Sequence, residues 1–302
     1  MDPRIHVDYR QLLSLKGALQ GLSLLPRSPS ASPLAGQHGS RFRGRGLDFE
    51  ELRHYRDGDD IRTLDWKVTL RTGKPHVRVF TEERDRSVLI LADQRQSLFF
   101  ASQVTMKSVV AARLASLLGW RALADGDRVG MLLLTDSGCD WFEPQRQSLA
   151  WMRALARLAK ANQALGAGRA DSQPQQLEQA LAALQRRQLK AYTLVLISDF
   201  DGWQPGCLTR IRHLQRHNEV LTCYLTDPME QQLPGPFVAS DGQQQMAVDP
   251  ASASLSQRFA EAAADKATAL QRAFARRGLP LLQIDTGGDE VGQLKRALGR
   301  AS

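Results

Sequence analysis

Cysteine is scarce in this sequence, and long apolar runs are missing. The three cysteines, Cys139, Cys207 and Cys223, are widely separated and form no CxxC pair. This spacing argues against a disulfide framework and against a structural zinc site. No stretch approaches the roughly 18 uncharged apolar residues of a membrane-spanning helix, and the first residues lack the apolar core of a signal peptide. We therefore expect a cytoplasmic protein with no membrane insertion.

The sequence also lacks the short motifs of several common enzyme classes. It contains no GxSxG, no GxxxxGK[ST] and no HExxH, which would mark a nucleophile elbow, a phosphate-binding loop and a zinc-protease helix. The net charge is +8, but 40 basic residues are interleaved with 32 acidic ones. This mixture favours salt bridges over a stripe that follows a phosphate backbone. We therefore predict neither an enzyme nor a nucleic-acid-binding protein.

From about residue 76 onward, the sequence alternates strands with helices. Continuous apolar strands, such as SVLILAD and AYTLVLISD, are typical of a parallel sheet covered by helices on both faces. The segments DRVGMLLLTD and CDWFE predict a β-hairpin at the sheet edge. Helices are predicted over 9–25 and over about 103–123, the second capped by Ser102 or Thr105. The pattern predicts an α/β fold with a doubly wound, mostly parallel sheet.

Two of the apolar strands end on an acid, Asp93 and Asp199. In doubly wound sheets ligands bind beyond the carboxyl ends of the strands, where the strand order reverses. If the two strands are neighbours, both carboxylates face one crevice. Alternatively, each acid caps its own turn by accepting backbone N–H groups. The sequence leaves both interpretations open.

A spaced set of polar and aromatic residues, here called the polar block, precedes these strands. It comprises Glu51, Arg53, Tyr55, Gly58, Asp59, Asp60, Arg62, Asp65, Trp66, Arg71, Glu82, Glu83 and Arg84. In order and spacing it resembles the bacterial domain of unknown function 58 family, whose hallmark is GxGxxFxExRxYxxGDDxRxxDWxxxxR, then FxEER, an apolar strand and an aspartate. The chain resembles the short soluble subgroup of that family.

The resemblance implies a von Willebrand factor A-like domain with the polar block attached to it. We expect the N-terminal helix, a loop and most of the block, residues 1–75, to pack on a main domain formed by 76–302. Arginines pair with carboxylates bidentately and a tryptophan offers a flat apolar face, which favours a scaffold or a partner surface. The alternative is that Glu51, Asp59, Asp60 and Asp65 converge on a cation.

The resemblance also implies a metal site of the von Willebrand type, built from D-x-S-x-S, a threonine and a late aspartate around Mg²⁺. Asp93 and Ser97 fill the first and third motif positions, Asp199 resembles the late aspartate, and Ser172 is the nearest hydroxyl to the threonine position. Arg95 replaces a ligating hydroxyl with a permanent cation. We predict a degenerate site without a cofactor, in which Arg95 bridges Asp93 or Asp199 or turns outward to an acidic partner. Mg²⁺ held by Asp93, Ser97 and Asp199 is the alternative.

Three functional hypotheses follow. The first is a non-enzymatic interaction module that serves as adaptor or assembly partner of a MoxR-type AAA+ ATPase in protein maturation, as the family resemblance implies. The second is a metal-dependent hydrolase that uses Asp93, Ser97 and Asp199. The third is a nucleic-acid binder that uses the basic surplus.

Overall fold

The structure is a computed structural model. It describes residues 2–19, 47–56, 58–82, 86–167, 173–230, 237–240, 245–248 and 267–300. These residues form two compact units, one within 1–27 and 86–302 and the other within 28–85. The domain boundary predicted between residues 75 and 76 stays a prediction.

The described helices and strands are, in chain order, α1 (Tyr9–Ser14), β1 (Leu47–His54), α2 (Trp66–Thr72), β2 (His76–Glu82), β3 (Ser87–Asp93), α3 (Lys107–Ala124), β4 (Arg128–Thr135), β5 (Gly138–Gln145), α4 (Ser148–Gln163), α5 (Gln175–Arg186), β6 (Tyr192–Ser198), α6 (Pro205–Gln215), β7 (Glu219–Thr226), β8 (Phe237–Ser240), β9 (Gln245–Val248), α7 (267–275), β10 (Leu281–Asp285) and α8 (Glu290–Arg300).

The larger unit is built on a six-stranded sheet with the order β10-β7-β6-β3-β4-β5. All neighbouring strands are parallel except β4 and β5, which form an antiparallel hairpin at one edge. Numbered along the chain within the sheet and counted from β5, the order is 3-2-1-4-5-6, which is the order of doubly wound Rossmann-type sheets. The predicted fold class and the predicted edge hairpin are confirmed.

Helices cover both faces of this sheet because its strands are apolar on both sides. Along β3, Val88 and Ile90 pack into one cluster with α3, α4 and α8. Leu89 and Leu91 pack into the other cluster with α5, α6 and α7. This alternation follows from the period of two residues in a strand. It explains why a parallel strand reads as a continuous apolar run.

The smaller unit contains an antiparallel pair, β1 and β2, whose register shifts between Phe49 and Glu51. Helix α2 lies between these two strands in sequence. Asp65 caps its amino end by accepting the Val68 N–H at 3.0 Å. Gly73, with a φ of 70°, ends it in the left-handed conformation that glycine adopts most readily.

Two helix boundaries differ from their predictions. Helix α1 ends at Ser14 and the described residues after it form turns, so the prediction over 9–25 was too long; residues 20–25 lie outside the described part. Helix α3 begins at Lys107, and Met106 is its N-cap without a side-chain cap. The Met106 N–H instead donates to the Arg4 carbonyl at 2.9 Å, so an N-terminal segment takes the place of the predicted serine or threonine cap.

Other predicted elements agree with the structure where it describes them. The segment SDGQ predicts a further hairpin, and strands β8 and β9 on either side of it pair antiparallel. The alanine-rich pattern of residues 256–276 predicts a helix; residues 267–275 are helical, and the residues before 267 lie outside the described part.

Candidate functional site

The strand order of the main sheet reverses between β3 and β6. From β3 the chain continues to β4 and β5 on one side, and the later strands add on the other side. The register pairs Ala92 with Ile197, so Asp93 and Ser198 end neighbouring strands at the reversal point. In such sheets the crevice beyond the carboxyl ends is where ligands bind. We call this place the crevice.

Asp93 is held by a guanidinium inside the crevice. Arg95 Nε donates to both carboxylate oxygens, at 3.0 and 3.1 Å, and Nη2 donates to Oδ2 at 2.8 Å. The backbone N–H of Arg95 adds a bond of 3.0 Å, and Ser198 Oγ donates to Oδ2 at 2.6 Å. Both charged side chains are 0% exposed. The carboxylate is therefore satisfied by a buried cation and a neighbouring hydroxyl.

The same guanidinium reaches the second carboxylate and the loop after β6. Arg95 Nη2 lies 3.7 Å from Asp199 Oδ1, and Nη1 donates to the Asp201 carbonyl at 3.1 Å. Ser97 Oγ donates to Asp199 Oδ1 at 3.4 Å. Of the orientations that the sequence left open, Arg95 adopts the inward one, and its complete burial contradicts the outward one.

Burial and charge set the protonation of these groups. Burial raises the pKa of Asp199, and Asp93 adds to the rise, although Lys107 and Arg95 pull it downward. Burial alone would lower the pKa of Arg95, but Asp93 and then Asp199 outweigh it, and the net shift is upward. Arg95 therefore stays cationic, and Asp199 is protonated more readily than an aspartate in water.

The loop after β6 is fixed in an unusual conformation. Phe200 has a φ of 50°, in the left-handed region that large side chains rarely adopt. Its ring is buried and lies 5.4 Å from the ring of Phe274, centroid to centroid. The next residue of the loop, Asp201, is held by the hydrogen bond that its carbonyl accepts from Arg95. The guanidinium thus joins the end of β3 to the loop after β6.

The donor set of the crevice does not fit a divalent cation. The positive charge of Arg95 already contacts Asp93 and lies within ion-pair distance of Asp199. A hard cation needs several oxygen ligands around one open position, and the guanidinium fills the space between the two carboxylates. Within the described ranges, no group of three or more His, Cys, Asp or Glu side chains is arranged to hold a metal. Ser172 lies outside the described residues.

An aspartate ends or directly follows each of the five parallel strands of the sheet, and three of these aspartates were not predicted as site residues. The additional ones are Asp136, Asp227 and Asp285, at or directly after the ends of β4, β7 and β10. Asp136 accepts the backbone N–H groups of Gln96 at 2.6 Å and Gln173 at 2.8 Å. The repeated pattern of an apolar run ending on Asp was visible in the sequence and marks this edge.

Asp227 shows the same capping role beside the crevice. It is fully buried and accepts the N–H groups of Ser102 and Met229, both at 2.9 Å, and the hydroxyl of Thr286. Although burial alone would raise the pKa of Asp227, hydrogen bonds from Ser102 and Thr286 lower it. Asp136 and Asp227 support the alternative that acids at strand ends cap turns. Asp93 differs because its carboxylate pairs with the guanidinium of Arg95.

A buried lysine lies next to the same edge. Lys107, the first residue of α3, is 3% exposed and pairs with Glu230. Its charge also lowers the pKa of Asp199. The sequence analysis did not single out this pair, because it joins residues that are 123 positions apart.

The polar block forms two separate ion pairs in the smaller unit. Arg53 binds Asp59 through two nitrogen–oxygen contacts of 2.7 and 2.8 Å, and Arg78 binds Asp65 at 2.7 Å. The bond from Arg53 lowers the pKa of Asp59. Bonds from the Val68 N–H and then from Arg78 lower the pKa of Asp65. Asp59 and Asp65 therefore each pair with a different arginine, and Arg78 lies outside the polar block as the sequence defined it.

The remaining block residues have local roles or none that the structure describes. Asp60 caps the short 3₁₀ helix Ile61–Thr63 by accepting the Arg62 N–H. Gly58 has a φ of 103°, and the Tyr55 N–H donates to the Pro75 carbonyl at 2.9 Å. Arg62, Trp66 and Arg71 are exposed. The strands that contain Glu51 and Glu82 are described, but the side chains of these two residues are not. Glu83 and Arg84 lie outside the described residues altogether.

Among the described residues, no helix combines the length and the apolarity needed to cross a membrane.

Comparison with known proteins points to one family. Residues 51–269 match the family described as "Protein of unknown function DUF58". An uncharacterized protein of Mycobacterium bovis is 30% identical over 289 residues, which cover 93% of this chain and 88% of the relative. An uncharacterized protein of Mycobacterium tuberculosis matches with the same identity and the same coverage. Because the family match spans more than half of the chain, the protein belongs to the DUF58 family.

Proposed function

We propose that the protein is a non-enzymatic interaction module of the von Willebrand factor A-like type. In this proposal it acts in the cytoplasm as adaptor or assembly partner of a MoxR-type AAA+ ATPase in protein maturation. The crevice contains no cofactor and presents its rim to the partner.

The observation that carries the proposal is the position of Arg95. Its fully buried guanidinium binds Asp93 and approaches Asp199. Two unit charges about 4 Å apart interact by roughly 4 kcal/mol at an effective dielectric constant of about 20. That attraction holds the arginine in place, and the repulsion between the arginine and a divalent ion at the same distance would be about twice as large. A hydrolase that activates water on a metal at this position is therefore the weaker hypothesis.

The rim of the crevice is suited to contact with a protein. We define the rim as the loop 94–106 between β3 and α3. Phe100 and Val104 of the rim are 38% and 43% exposed. The loop itself is anchored, because Asp136 accepts the Gln96 N–H and Asp227 accepts the Ser102 N–H. Exposed apolar side chains on a rigid loop are a typical contact surface, since little ordering entropy is lost on binding.

Affinity purification from the native host tests the proposal. The tagged full chain is compared with the rim variant Phe100→Ala/Val104→Asp and with a control, Leu149→Asp. Leu149 lies at the start of α4 and is 56% exposed. Helix α4 follows β5, and the end of β5 pairs with the beginning of β4. The control therefore changes an exposed apolar side chain at the opposite, amino edge of the sheet.

We expect an AAA+ ATPase to be enriched with the wild type and with the Leu149 control. The rim variant is expected to reduce its recovery roughly fivefold, which corresponds to about 1 kcal/mol of binding free energy. Absence of any AAA+ ATPase from the wild-type eluate would contradict the adaptor role. Equal recovery with the rim variant would place the contact elsewhere on the molecule.

A further inference from the structure

Helix α2 of the smaller unit exposes large apolar side chains. Trp66 is 62% exposed and Leu70 is 83% exposed, and the nearby Ile61 is 62% exposed. Tryptophan is among the residue types that most often dominate the energy of protein interfaces. Contiguous exposed apolar groups surrounded by charges mark interaction sites on soluble proteins.

Two cations share the outward side of the helix with these residues. Lys67 and Arg71 are exposed and lie one turn apart, directly after Trp66 and Leu70 in sequence. At about 100° of rotation per residue, these four side chains fall within an arc of roughly 140°. The face is therefore apolar along one side and basic along the other.

The opposite side of α2 is tied to its own unit. Thr69 Oγ1 accepts the His76 N–H at 3.1 Å, and Thr72 Oγ1 lies 3.3 Å from His76 Nδ1. Asp65 caps the helix and pairs with Arg78. These contacts fix the rotation of the helix, so Trp66 and Leu70 point outward because the other side is anchored.

The charge around the face is unbalanced. Arg62, Lys67, Arg71 and Lys74 are all exposed. Of the described carboxylates between residues 58 and 78, Asp59 and Asp65 pair with Arg53 and Arg78, and Asp60 alone is exposed. A second copy of a chain with a net charge of +8 is a poor occupant for a basic face, because like charges across an interface are unfavourable. Charge complementarity requires an acidic occupant.

We propose that this α2 face, formed by Ile61, Trp66, Lys67, Leu70 and Arg71, binds an acidic segment of a partner protein that also carries apolar side chains. Trp66 could stack on a nucleobase, but the exposed aliphatic groups Ile61 and Leu70 add apolar area on which nucleobases do not stack, so the face suits a protein better than a nucleic acid. The seven residues of α2 give a short apolar edge, whereas helices that lie in a membrane surface are often 20–30 residues long. The inference does not depend on the ATPase or on the crevice.

A phage-displayed library of random dodecapeptides tests the inference. It is selected on the full-length wild-type protein and counter-selected on Trp66→Ala/Leu70→Ala. Enriched peptides are then titrated, by fluorescence anisotropy, into the wild type, into that variant and into Lys67→Glu/Arg71→Glu. The matched control is Leu149→Ala/Arg153→Glu, which changes an exposed leucine and an exposed arginine four positions apart on α4.

We expect enriched peptides to combine Asp or Glu with Leu, Phe or Trp. Their affinity should fall about tenfold with either α2 variant, as for truncated interface anchors, and should fall with added salt. The Leu149/Arg153 control should bind as the wild type does. The rim variant should also bind these peptides unchanged, which separates this inference from the proposed ATPase contact.

Three outcomes would overturn it: no enrichment, enriched peptides without acidic residues, or equal binding to Trp66→Ala/Leu70→Ala. Fluorescein-labelled single-stranded DNA and vesicles containing phosphatidylserine are titrated in parallel. Binding of either probe that is lost with the α2 variants, without any acidic peptide enriched, would assign the face to nucleic acid or to a membrane surface instead.

Discussion

Arg95 makes its described polar contacts inside the fold and none with solvent, since it is 0% exposed. Its partners are Asp93, Asp199 and the carbonyl of Asp201. These groups belong to the ends of two neighbouring strands, so one side chain links both sides of the crevice. A buried ion pair is weak evidence of stability in itself, but the loss of one partner is costly because the other charge stays buried.

Replacement of this arginine should therefore destabilise the protein strongly. We expect Arg95→Met to lower the free energy of unfolding by about 3–5 kcal/mol, because Asp93 is left buried without its cation. The double variant Asp93→Asn/Arg95→Met should recover much of the loss. Arg4→Met, at the exposed pair of Arg4 with Asp2, is the control and should cause no measurable change. Urea unfolding at neutral pH measures all three, and a fully stable Arg95→Met would refute the structural role of the pair.

Asp199 should make stability depend on pH in the opposite sense to an ordinary ion-paired acid. Its pKa is raised in the fold by burial and by Asp93, so its favourable contribution is present below the ordinary value of 3.8 and is lost as pH rises through the folded value. Asp199→Asn should raise the free energy of unfolding at pH 7, and the gain should vanish near pH 4.

Asp227 provides the matched control for that titration. It follows the neighbouring strand β7, and hydrogen bonds from Ser102 and Thr286 hold its pKa below the ordinary value in spite of burial. Asp227→Asn should therefore destabilise the protein at neutral pH, by an amount that shrinks as the pH falls through the folded pKa. The same sign for both variants in urea titrations at pH 7 and pH 4 would contradict the assignment.

The elements of the main sheet explain why an acidic edge forms. Each parallel strand ends on an aspartate or directly before one, and the following turns need acceptors for their N–H groups. Asp136 and Asp285 serve in this way, as Asp285 accepts the Gly287 N–H at 2.8 Å. Most of the acids at this edge therefore cap turns. Asp93 is different because it pairs with the guanidinium of Arg95.

Helix α3 packs against α4 so closely that one glycine becomes a sensitive position. A Cβ at Gly119 would lie 2.1 Å from Cζ2 of the buried Trp151. Gly→Ala in a helix interior usually stabilises by about 0.5–1 kcal/mol, but overpacking of a core costs about 1–3 kcal/mol. We expect the cost of overpacking to exceed the gain in helix propensity, so that Gly119→Ala lowers the free energy of unfolding.

Gly206→Ala in α6 is the control for this prediction. Its nearest neighbour would be the flexible carboxylate of Glu178, at 3.0 Å, which can move aside. Thermal unfolding followed by circular dichroism compares the two variants. Equal melting temperatures for Gly119→Ala and the wild type would show that α3 and α4 pack more loosely.

At the scale of the whole molecule, the sequence predicted the sheet well because parallel strands leave an unambiguous apolar signature. The runs ending on Asp93 and Asp199 placed two acids at the strand reversal, and the sequence left open whether Arg95 would meet one of them or turn outward. The sequence did not predict the cap of α3, because the Arg4 carbonyl that accepts the Met106 N–H comes from far along the chain. It offered Trp66 for a scaffold or a partner surface without deciding between them, since periodicity does not reveal which side of a short helix is anchored.

We propose that Arg95 takes the position that a metal occupies in von Willebrand factor A-like sites. Isothermal titration of Mg²⁺ and Mn²⁺ into the full-length protein tests it most directly, with Asp93→Ala and Arg95→Ser measured alongside. We predict no binding heat for the wild type, and binding only for Arg95→Ser, because that substitution restores the pattern D-x-S-x-S between Asp93 and Ser97. Tight binding of either ion to the wild type, lost in Asp93→Ala, would contradict the account.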